Sequence, residues 1–312
     1  MAHNVETMAY AGEVPWHGLG KKVIADLTPE QMLVEAGLDW TVEKVSLFYE
    51  TVDGRKIKAG QKQALIRASD QRMLDVVSED WNPLQNIEAF DFFNDFVQAG
   101  DMEMHTAGSL QNGKLVWALA KVNDSFEVFK NDIVDQYLLF TNPHKFGAAI
   151  DVRMTPIRVV CNNTLSMALD GKADKMVKVN HRQVFDADEV KATLGVAKQK
   201  LEKYKEAALF LGSKRFTNDN IVEYFDRVFP SLSKASDKLS RQATQAMEVL
   251  NTQPGHQYGE GTWWHGFNTV TYLTDHKLGR SVDTRLTSAW FGANRTKKLN
   301  ALEIALEYAE AA

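Results

Sequence analysis

Residues 186–212 read DADEVKATLGVAKQKLEKYKEAALFLG and mark the point where the predicted fold changes from strands to helices. Asp186 and Glu189 fit a helix-capping arrangement, and Gly212 indicates the helix end. Between them, apolar residues recur at alternating steps of four and three positions, which places them on one face of a helix. They are Val190, Leu194, Ala197, Leu201, Tyr204, Ala208 and Leu211.

This apolar seam can pack against another helix of the same chain or against a second subunit. Heptad-like seams are common inside helical bundles, which favours a helical hairpin within the chain. The alternative is a subunit interface in a homo-oligomer, which light scattering would detect. Leu201→Glu places a charge in the seam and is expected to disrupt either arrangement.

The chain on either side of this helix shows different patterns. Upstream, capping and spacing signals predict helices that begin at residues 29, 86 and 164. Alternating patterns predict strands at Trp40–Thr51, Gln63–Ala68, Met73–Val77, either side of Asn112-Gly113, Gln136–Thr141, Ala148–Arg153 and Pro156–Val160. Downstream, further helices are predicted at Asn220–Phe229, Asp237–Leu250, Trp263–His276 and Arg295–Ala311.

These patterns predict an α+β fold with two parts. Residues 1–185 are expected to form a mixed, mainly antiparallel curved sheet with helices and a central basic band. Residues 186–312 are expected to form an all-helical region that packs on this domain.

The composition is that of a globular protein, with 312 residues, 44% hydrophobic and 25% charged. Its single cysteine, Cys161, excludes a disulfide framework within the chain. No stretch approaches the length of a membrane span, and the N-terminal residues lack the pattern of a signal peptide. We therefore expect a cytoplasmic protein with no membrane partner.

The charge is unevenly distributed along the chain. Residues 1–140 contain 12 Lys and Arg against 22 Asp and Glu, a net charge of −10. Residues 141–185 contain 7 against 3, a net charge of +4. Because screening limits electrostatic reach to about a Debye length, local charge decides whether a polyanion binds. The middle of the chain is therefore the predicted contact region.

The cations of this middle region follow strand patterns, on which alternate side chains share a face. If the strands are adjacent, they form a basic strip that contacts phosphates. The strip consists of Lys145, Arg153, Arg158, Lys172, Lys175, Lys178 and Arg182. The alternative is a solvated charged edge, which strands use to avoid aggregation.

A second basic segment lies near the C-terminus and contains aromatic residues. Arg285, Trp290 and Arg295 are its candidate contacts with single-stranded nucleic acid. Phosphates would take the cations, and unpaired bases would stack on the ring.

The sequence contains no complete nucleotide or metal motif. At the one position that resembles a phosphate loop, Pro15 replaces the first glycine and Lys22 replaces the Ser or Thr. The eight histidines include no HEXXH pair. Cys161 is a candidate nucleophile with His144 as a candidate base, although free cysteines are usually buried and structural. We therefore predict a buried Cys161, no catalytic residue, no metal and no cofactor.

Four motifs occur in order along the chain. They are PWHGLG at residues 15–20, DWNPLQN at 80–86, TPIRVVCNNTL at 155–165 and WWHGFNTVTYLTDH at 263–276. The second predicts a helix entry capped by Asn86. Together they resemble the phage and plasmid proteins of the family called domain of unknown function 932.

This resemblance covers nearly the whole chain and implies a mobile-element origin with no established activity. Besides Arg158, it carries over the following residues without assigning them a role: Trp16, His17, Gly18, Gly20, Trp81, Gln85, Asn86, Cys161, Asn163, Thr164, Trp264, Asn268, Thr271 and His276. The architecture is also similar to that of the phage single-strand annealing proteins of the RecT and Red-beta type. Those proteins need no ATP and oligomerise on DNA.

The first functional hypothesis is therefore a phage or plasmid protein that binds single-stranded nucleic acid in a bacterial host. It would act as an ATP-independent annealing or recombination accessory factor. One alternative is a module that blocks a host defence by binding a host protein through the acidic first 140 residues. Another is an enzyme that uses Cys161 or the loop around His17.

Overall fold

A computed structural model of the protein describes residues 4–12, 14–15, 18–158, 163–164, 177–231, 238–279 and 281–311. Within these ranges the fold is α+β, with sheets in the first part and helices in the second, as the sequence predicts. None of the described helices combines the length and apolar character needed to cross a membrane.

Eight described strands form one sheet. They are β1 Val5–Tyr10, β2 Lys21–Lys22, β6 Met102–Leu110, β7 Leu115–Glu127, β8 Ile133–Pro143, β9 Ile150–Arg158, β10 Asn163–Thr164 and β11 Val177–Val179. Their order is β10-β9-β8-β7-β6-β1-β2, and β11 also pairs with β9. Strands β1 and β2 are parallel, whereas β1–β6, β6–β7, β9–β10 and β9–β11 are antiparallel.

A second sheet is an antiparallel meander of three strands: β3 Val42–Glu50, β4 Lys56–Arg67 and β5 Arg72–Ser78. The pairing of β3 with β4 continues outward to Glu50 and Lys56. The pairing of β4 with β5 begins only at Lys62. The outer half of the β3–β4 hairpin is therefore a two-stranded ribbon that extends past β5.

Three short helices belong to the first part of the chain: α1 Pro29–Glu35, α2 Asn86–Asp91 and α3 Asn94–Gln98. The second part contains α4 Ala187–Ser213, α5 Asn218–Val228, α6 Arg241–Val249, α7 Trp263–Tyr272, α8 Val282–Phe291 and α9 Ala293–Ala311. A π-helical turn, Leu273–Lys277, continues α7. Capping explains several of these starts, because Thr28, Thr217, Ser240 and Thr262 each accept a backbone N–H from the first turn.

The chain divides into two compact units. Unit 1 comprises Met1–Asn123, Tyr137–Arg153 and Met176–Leu194, and unit 2 comprises Asp124–Gln136, Met154–Lys175 and Gly195–Ala312. The boundary expected after residue 185 stays a prediction.

Each unit has its own aromatic core. In unit 1, Phe90, Phe92, Phe93, Trp117 and Phe140 are buried. In unit 2, the core includes Tyr224, Phe225, Trp263 and Trp264. Burial of each such side chain contributes about 1.5–3 kcal/mol to stability.

The C-terminal half of the apolar seam on α4 packs inside the chain. Tyr204, Ala208 and Leu211 are fully buried in the core of unit 2. This part of the seam therefore fits the intramolecular arrangement, while self-association stays a prediction.

The structure differs from the sequence-based expectation at several elements. The helix expected over Asn86–Ala99 is broken between α2 and α3, where the adjacent rings of Phe92 and Phe93 are both buried. The two strands expected between Ala148 and Val160 are one strand, β9, in the described residues. Helix α8 was not expected, because its segment was interpreted as a basic strip. The helix expected at Thr164–Leu169 lies outside the described residues, apart from Thr164 in β10.

Candidate functional site

The outer half of the β3–β4 hairpin exposes aromatic side chains. Phe48 is 61% exposed and Tyr49 is 53% exposed. Phe48 lies opposite Lys58, and Tyr49 lies opposite Ile57, so successive pairs alternate between the two faces of the ribbon. Each face therefore carries one solvent-exposed ring.

Cations lie among these rings. We call the following set the hairpin surface: Phe48, Tyr49, Lys56, Ile57, Lys58 and Lys62. All six are exposed in unit 1. Lys58 lies 3.5 Å from a Glu79 carboxylate oxygen, whereas Lys56 and Lys62 form no ion pair with any described residue. The surface thus offers two lysines without an ion pair beside exposed aromatic rings, and Glu50 lies opposite Lys56 in the strand register.

A third ring lies next to the inner end of this surface. Phe146 is 62% exposed, and the Lys62 ammonium lies 5.9 Å from its ring centroid. The backbone N–H of Phe146 donates to Asp75 Oδ2 at 2.9 Å, which fixes the loop beside the three-stranded sheet. The aromatic and cationic character of the hairpin surface therefore continues onto the loop after β8.

Some members of the basic strip predicted in the middle of the chain are buried or half-buried, and others are exposed. Lys145 is half-buried and donates to Gln111 Oε1 at 3.1 Å, and burial lowers its pKa, with the positive charge of Lys114 adding to the effect. Arg153 is buried, with Nε 3.7 Å from Asp151 Oδ1, and burial lowers its pKa. A buried guanidinium beside a carboxylate is poorly placed to contact a phosphate. The predicted phosphate contact of Arg153 stays a prediction.

The remaining members of the strip are exposed or lie outside the described residues. Lys178 is exposed on β11. Arg182 is exposed and pairs with Asp80 at 3.0 Å. Arg158 ends β9, but its side chain lies outside the described part of the structure, as do Lys172 and Lys175.

The second predicted strip lies on α8 and α9 in unit 2. Arg285, Trp290 and Arg295 are each partly buried rather than fully exposed. The Trp290 ring packs edge-on against Phe291, with ring centroids 6.1 Å apart. This segment is therefore a partly packed helical surface, less open than the hairpin surface.

The first motif borders a cleft of about 570 Å³ in unit 1. Leu19 and Gly20 line it together with Glu6 and Glu35. A side chain at Gly20 would stand 3.1 Å from Met8 Cγ and Tyr10 Cδ1, and Gly20 has a φ of 104°, which explains the glycine. Gly18 also has a positive φ. Trp16 and His17 lie outside the described residues.

The second motif forms a buried turn in unit 1. Gln85, not Asn86, is the helix N-cap, which corrects the expected capping residue. The Gln85 side chain accepts from Val42 N and donates to Val42 O, so it pairs with β3 as a strand would. Asn86 is buried and donates to Leu38 O and Trp40 O.

Two histidines contact this turn: His144, the candidate base for Cys161, and His181, to which the sequence assigned no role. His144 Nε2 lies 2.9 Å from Asn86 Oδ1, and His181 Nδ1 lies 3.0 Å from Asn82 O. The His181 ring stacks on Trp81, with centroids 4.0 Å apart. Burial, followed by the nearby His181, lowers the pKa of His144 to about 3, and burial also lowers the pKa of His181. Both imidazoles are therefore neutral near pH 7.

The third motif is described only in part. Asn163 and Thr164 form β10 and pair with Arg158 and Ile157 of β9. Cys161 lies outside the described residues, so its expected burial stays a prediction.

The fourth motif forms the interior of unit 2. Trp264, Asn268 and Thr271 are fully buried on α7. Trp264 Nε1 donates to Asp132 Oδ2 at 2.8 Å, and Asn268 Nδ2 donates to Trp264 O. His276 lies in the π-helical turn, 4.9 Å from the Tyr272 ring. These contacts assign the motif a packing role.

The sequence analysis did not predict the hairpin surface, because the charge of residues 1–140 was summed as a whole and is strongly negative. The signal is nevertheless present in the sequence, since Phe48-Tyr49 and Lys56-Ile57-Lys58 lie on either side of the turn at Asp53-Gly54. Only the pairing register and the exposure show that these side chains lie together on the exposed ribbon, distributed over its two faces.

No group of three or more His, Cys, Asp or Glu side chains suited to a metal ion lies in the described ranges. No curated protein and no solved structure matches the chain significantly. A family model described as Domain of unknown function (DUF932) matches residues 73–290. That match spans the last three of the four motifs, and the chain belongs to this family.

Proposed function

We propose that the protein binds single-stranded nucleic acid through the hairpin surface. The observation that supports this most directly is the exposure of Phe48 and Tyr49 beside Lys56 and Lys58 on a two-stranded ribbon. Single strands present unpaired bases that stack on aromatic rings and phosphates that attract cations.

Lys62 and Phe146 extend this contact surface at its inner end. Lys178 is exposed and supplies further positive charge in unit 1, whereas Arg182 is exposed but already paired with Asp80. The narrower proposal is an ATP-independent annealing or recombination factor of a phage or plasmid, in the cytoplasm of a bacterial host. It rests on the resemblance of the sequence motifs.

Binding of labelled single-stranded and duplex oligonucleotides across a salt series tests the proposal. Phe48→Ala removes one stacking ring and should weaken single-strand binding roughly 5- to 150-fold at every salt concentration, since each stacked base contributes about 1–3 kcal/mol. Lys56→Ala/Lys62→Ala should instead flatten the slope of log affinity against log salt by about 1.4, because each phosphate contributes about 0.7.

Matched controls separate this surface from general effects. Ile24→Ala removes another exposed apolar side chain, and Lys22→Ala/Lys130→Ala removes two exposed lysines elsewhere. Both controls should bind as the wild type does. Undetectable single-strand binding at low salt would refute the proposal, and preferential duplex binding would show that the ribbon instead enters a groove.

A further inference from the structure

Two lysines lie close together next to the exposed ring of Phe146. Lys114 immediately precedes β7, and Lys145 follows the end of β8. The backbone N–H of His144 donates to Lys114 O at 2.9 Å, which holds the two chain segments together. The Lys145 ammonium donates to Gln111 Oε1 at 3.1 Å, on the turn that leads into Lys114. These contacts place both cations in one small region of unit 1.

The two positive charges have no ion-pair partner among the described residues, although both side chains are half-buried. Asp75 attracts Lys145 from a distance, but its two oxygens already accept the backbone N–H groups of Val76 and Phe146. Burial lowers the pKa of Lys145, and the positive charge of Lys114 lowers it further. A bound anion would stabilise a positive charge that is disfavoured in the free protein.

The lysine pair continues the hairpin surface. Lys62, at the inner end of that surface, lies 5.9 Å from the ring centroid of Phe146, and Lys145 is the residue before Phe146. Ile57 and Lys62 lie on β4 and are separated by roughly 17 Å, at about 3.3 Å per residue. With the steps to Phe146 and Lys145, the path of rings and cations is roughly 25 Å long. About seven nucleotides of a single strand cover that length, at about 3.4 Å each.

We propose that Lys114 and Lys145 bind backbone phosphates of the same single strand that the hairpin surface holds. This inference rests on the proposed function, and it sets the length of strand that one chain contacts. Bases stack on the rings of Phe48, Tyr49 and Phe146, and the lysine pair takes the phosphates beyond Phe146. An oligothymidylate of about four nucleotides reaches only part of this path, whereas one of about twelve covers all of it.

Binding of these short and long oligothymidylates to the full-length protein across a salt series tests the inference. Lys114→Met/Lys145→Met keeps the apolar stems and removes both charges. Because the pKa of Lys145 is lowered in the folded protein, loss of its charge should not reduce the thermal midpoint at pH 7. With the long oligonucleotide, the double variant should flatten the slope of log affinity against log salt by about 1.4, since each phosphate contributes about 0.7. With the short one, which the rings of the hairpin surface hold, it should match the wild type.

Lys22→Met/Lys130→Met is the matched control, because it removes two exposed lysines elsewhere, and it should bind both oligonucleotides as the wild type does. Lysine acetylation of the wild type, read by mass spectrometry, needs no variant. The long oligonucleotide should protect Lys114 and Lys145 from acetylation, and the short one should not.

An unchanged salt slope in the double variant, or equal acetylation of the pair with and without the long oligonucleotide, would overturn the inference and leave the proposed function intact. An equal loss of binding with both lengths would also overturn it, because the lysine pair would then be the principal site. Failure of the wild type to bind either oligonucleotide would instead refute the proposed function, and this inference with it.

Discussion

Arg67→Met is expected to destabilise unit 1 substantially. Arg67 is 7% exposed and donates to both carboxylate oxygens of Glu6, each at 2.9 Å. Its Nε also donates to Asp70 Oδ1 at 2.9 Å, and its guanidinium lies 5.3 Å from the Trp40 ring centroid. The substitution keeps most of the apolar stem but removes the charge and all of these hydrogen bonds.

The size of the stability loss in Arg67→Met follows from the burial of the ion pair. Removing one partner of a buried ion pair costs about 3–5 kcal/mol, because the other charge is left uncompensated. Here the side chain of Asp70 is 37% exposed, and Arg72 stays 3.1 Å from Glu6. We therefore expect a loss near the lower end, about 3 kcal/mol of the free energy of unfolding at pH 7.

The loss should shrink in acid. Hydrogen bonds and charges from Arg67 hold the pKa of Asp70 well below its usual value, and they outweigh burial in lowering the pKa of Glu6. A carboxyl whose pKa is depressed in the folded state adds stability above its unfolded pKa and loses it as the pH falls. The wild type should therefore lose stability below about pH 4.5, the unfolded pKa range, and the variant should lose less.

Urea unfolding followed by tryptophan fluorescence and circular dichroism, at pH 7 and in acid, measures both effects. Arg72→Met is the matched control, because Arg72 is 44% exposed in the same network and should cost no more than about 1 kcal/mol. An Arg67→Met variant as stable as the control at pH 7, or a loss that does not shrink in acid, would refute this reasoning.

Two further predictions concern unit 2 and the hairpin turn. In thermal unfolding, Gly259→Ala should lower the free energy of unfolding by at least about 2 kcal/mol, because its φ is +67° and the new Cβ would stand 2.1 Å from the Phe129 ring. Gly54→Ala is the control: its φ is +81° but the space around it is open, so it should cost only about 1 kcal/mol. Equal losses in the two variants would contradict the packing argument. Trp264→Phe removes the donor to the buried Asp132 carboxylate and should cost about 2 kcal/mol by urea unfolding, whereas no measurable change would assign that hydrogen bond no role in stability.

The sequence alone determined the elements whose signals are local. The apolar period of Val190–Leu211 and the glycine after it predicted α4 to within about two residues, because helical periodicity and caps act over a few positions. The strand pair on either side of Asn112-Gly113 followed from turn residues that adopt left-handed backbone conformations. The strand predicted to begin at Gln63 instead begins at Lys56. The four family motifs were also recognised in the sequence, and the family match over residues 73–290 covers the last three of them.

Only the tertiary structure decided which side chains are buried and which meet. Arg153 and Phe48 both occupy strands, yet one is 9% exposed and the other 61%, because exposure depends on what packs against each face. His144 and His181 are far apart in sequence and contact the same turn only through the arrangement of the sheet. Such contacts depend on pairing register and long-range packing, which no local pattern encodes.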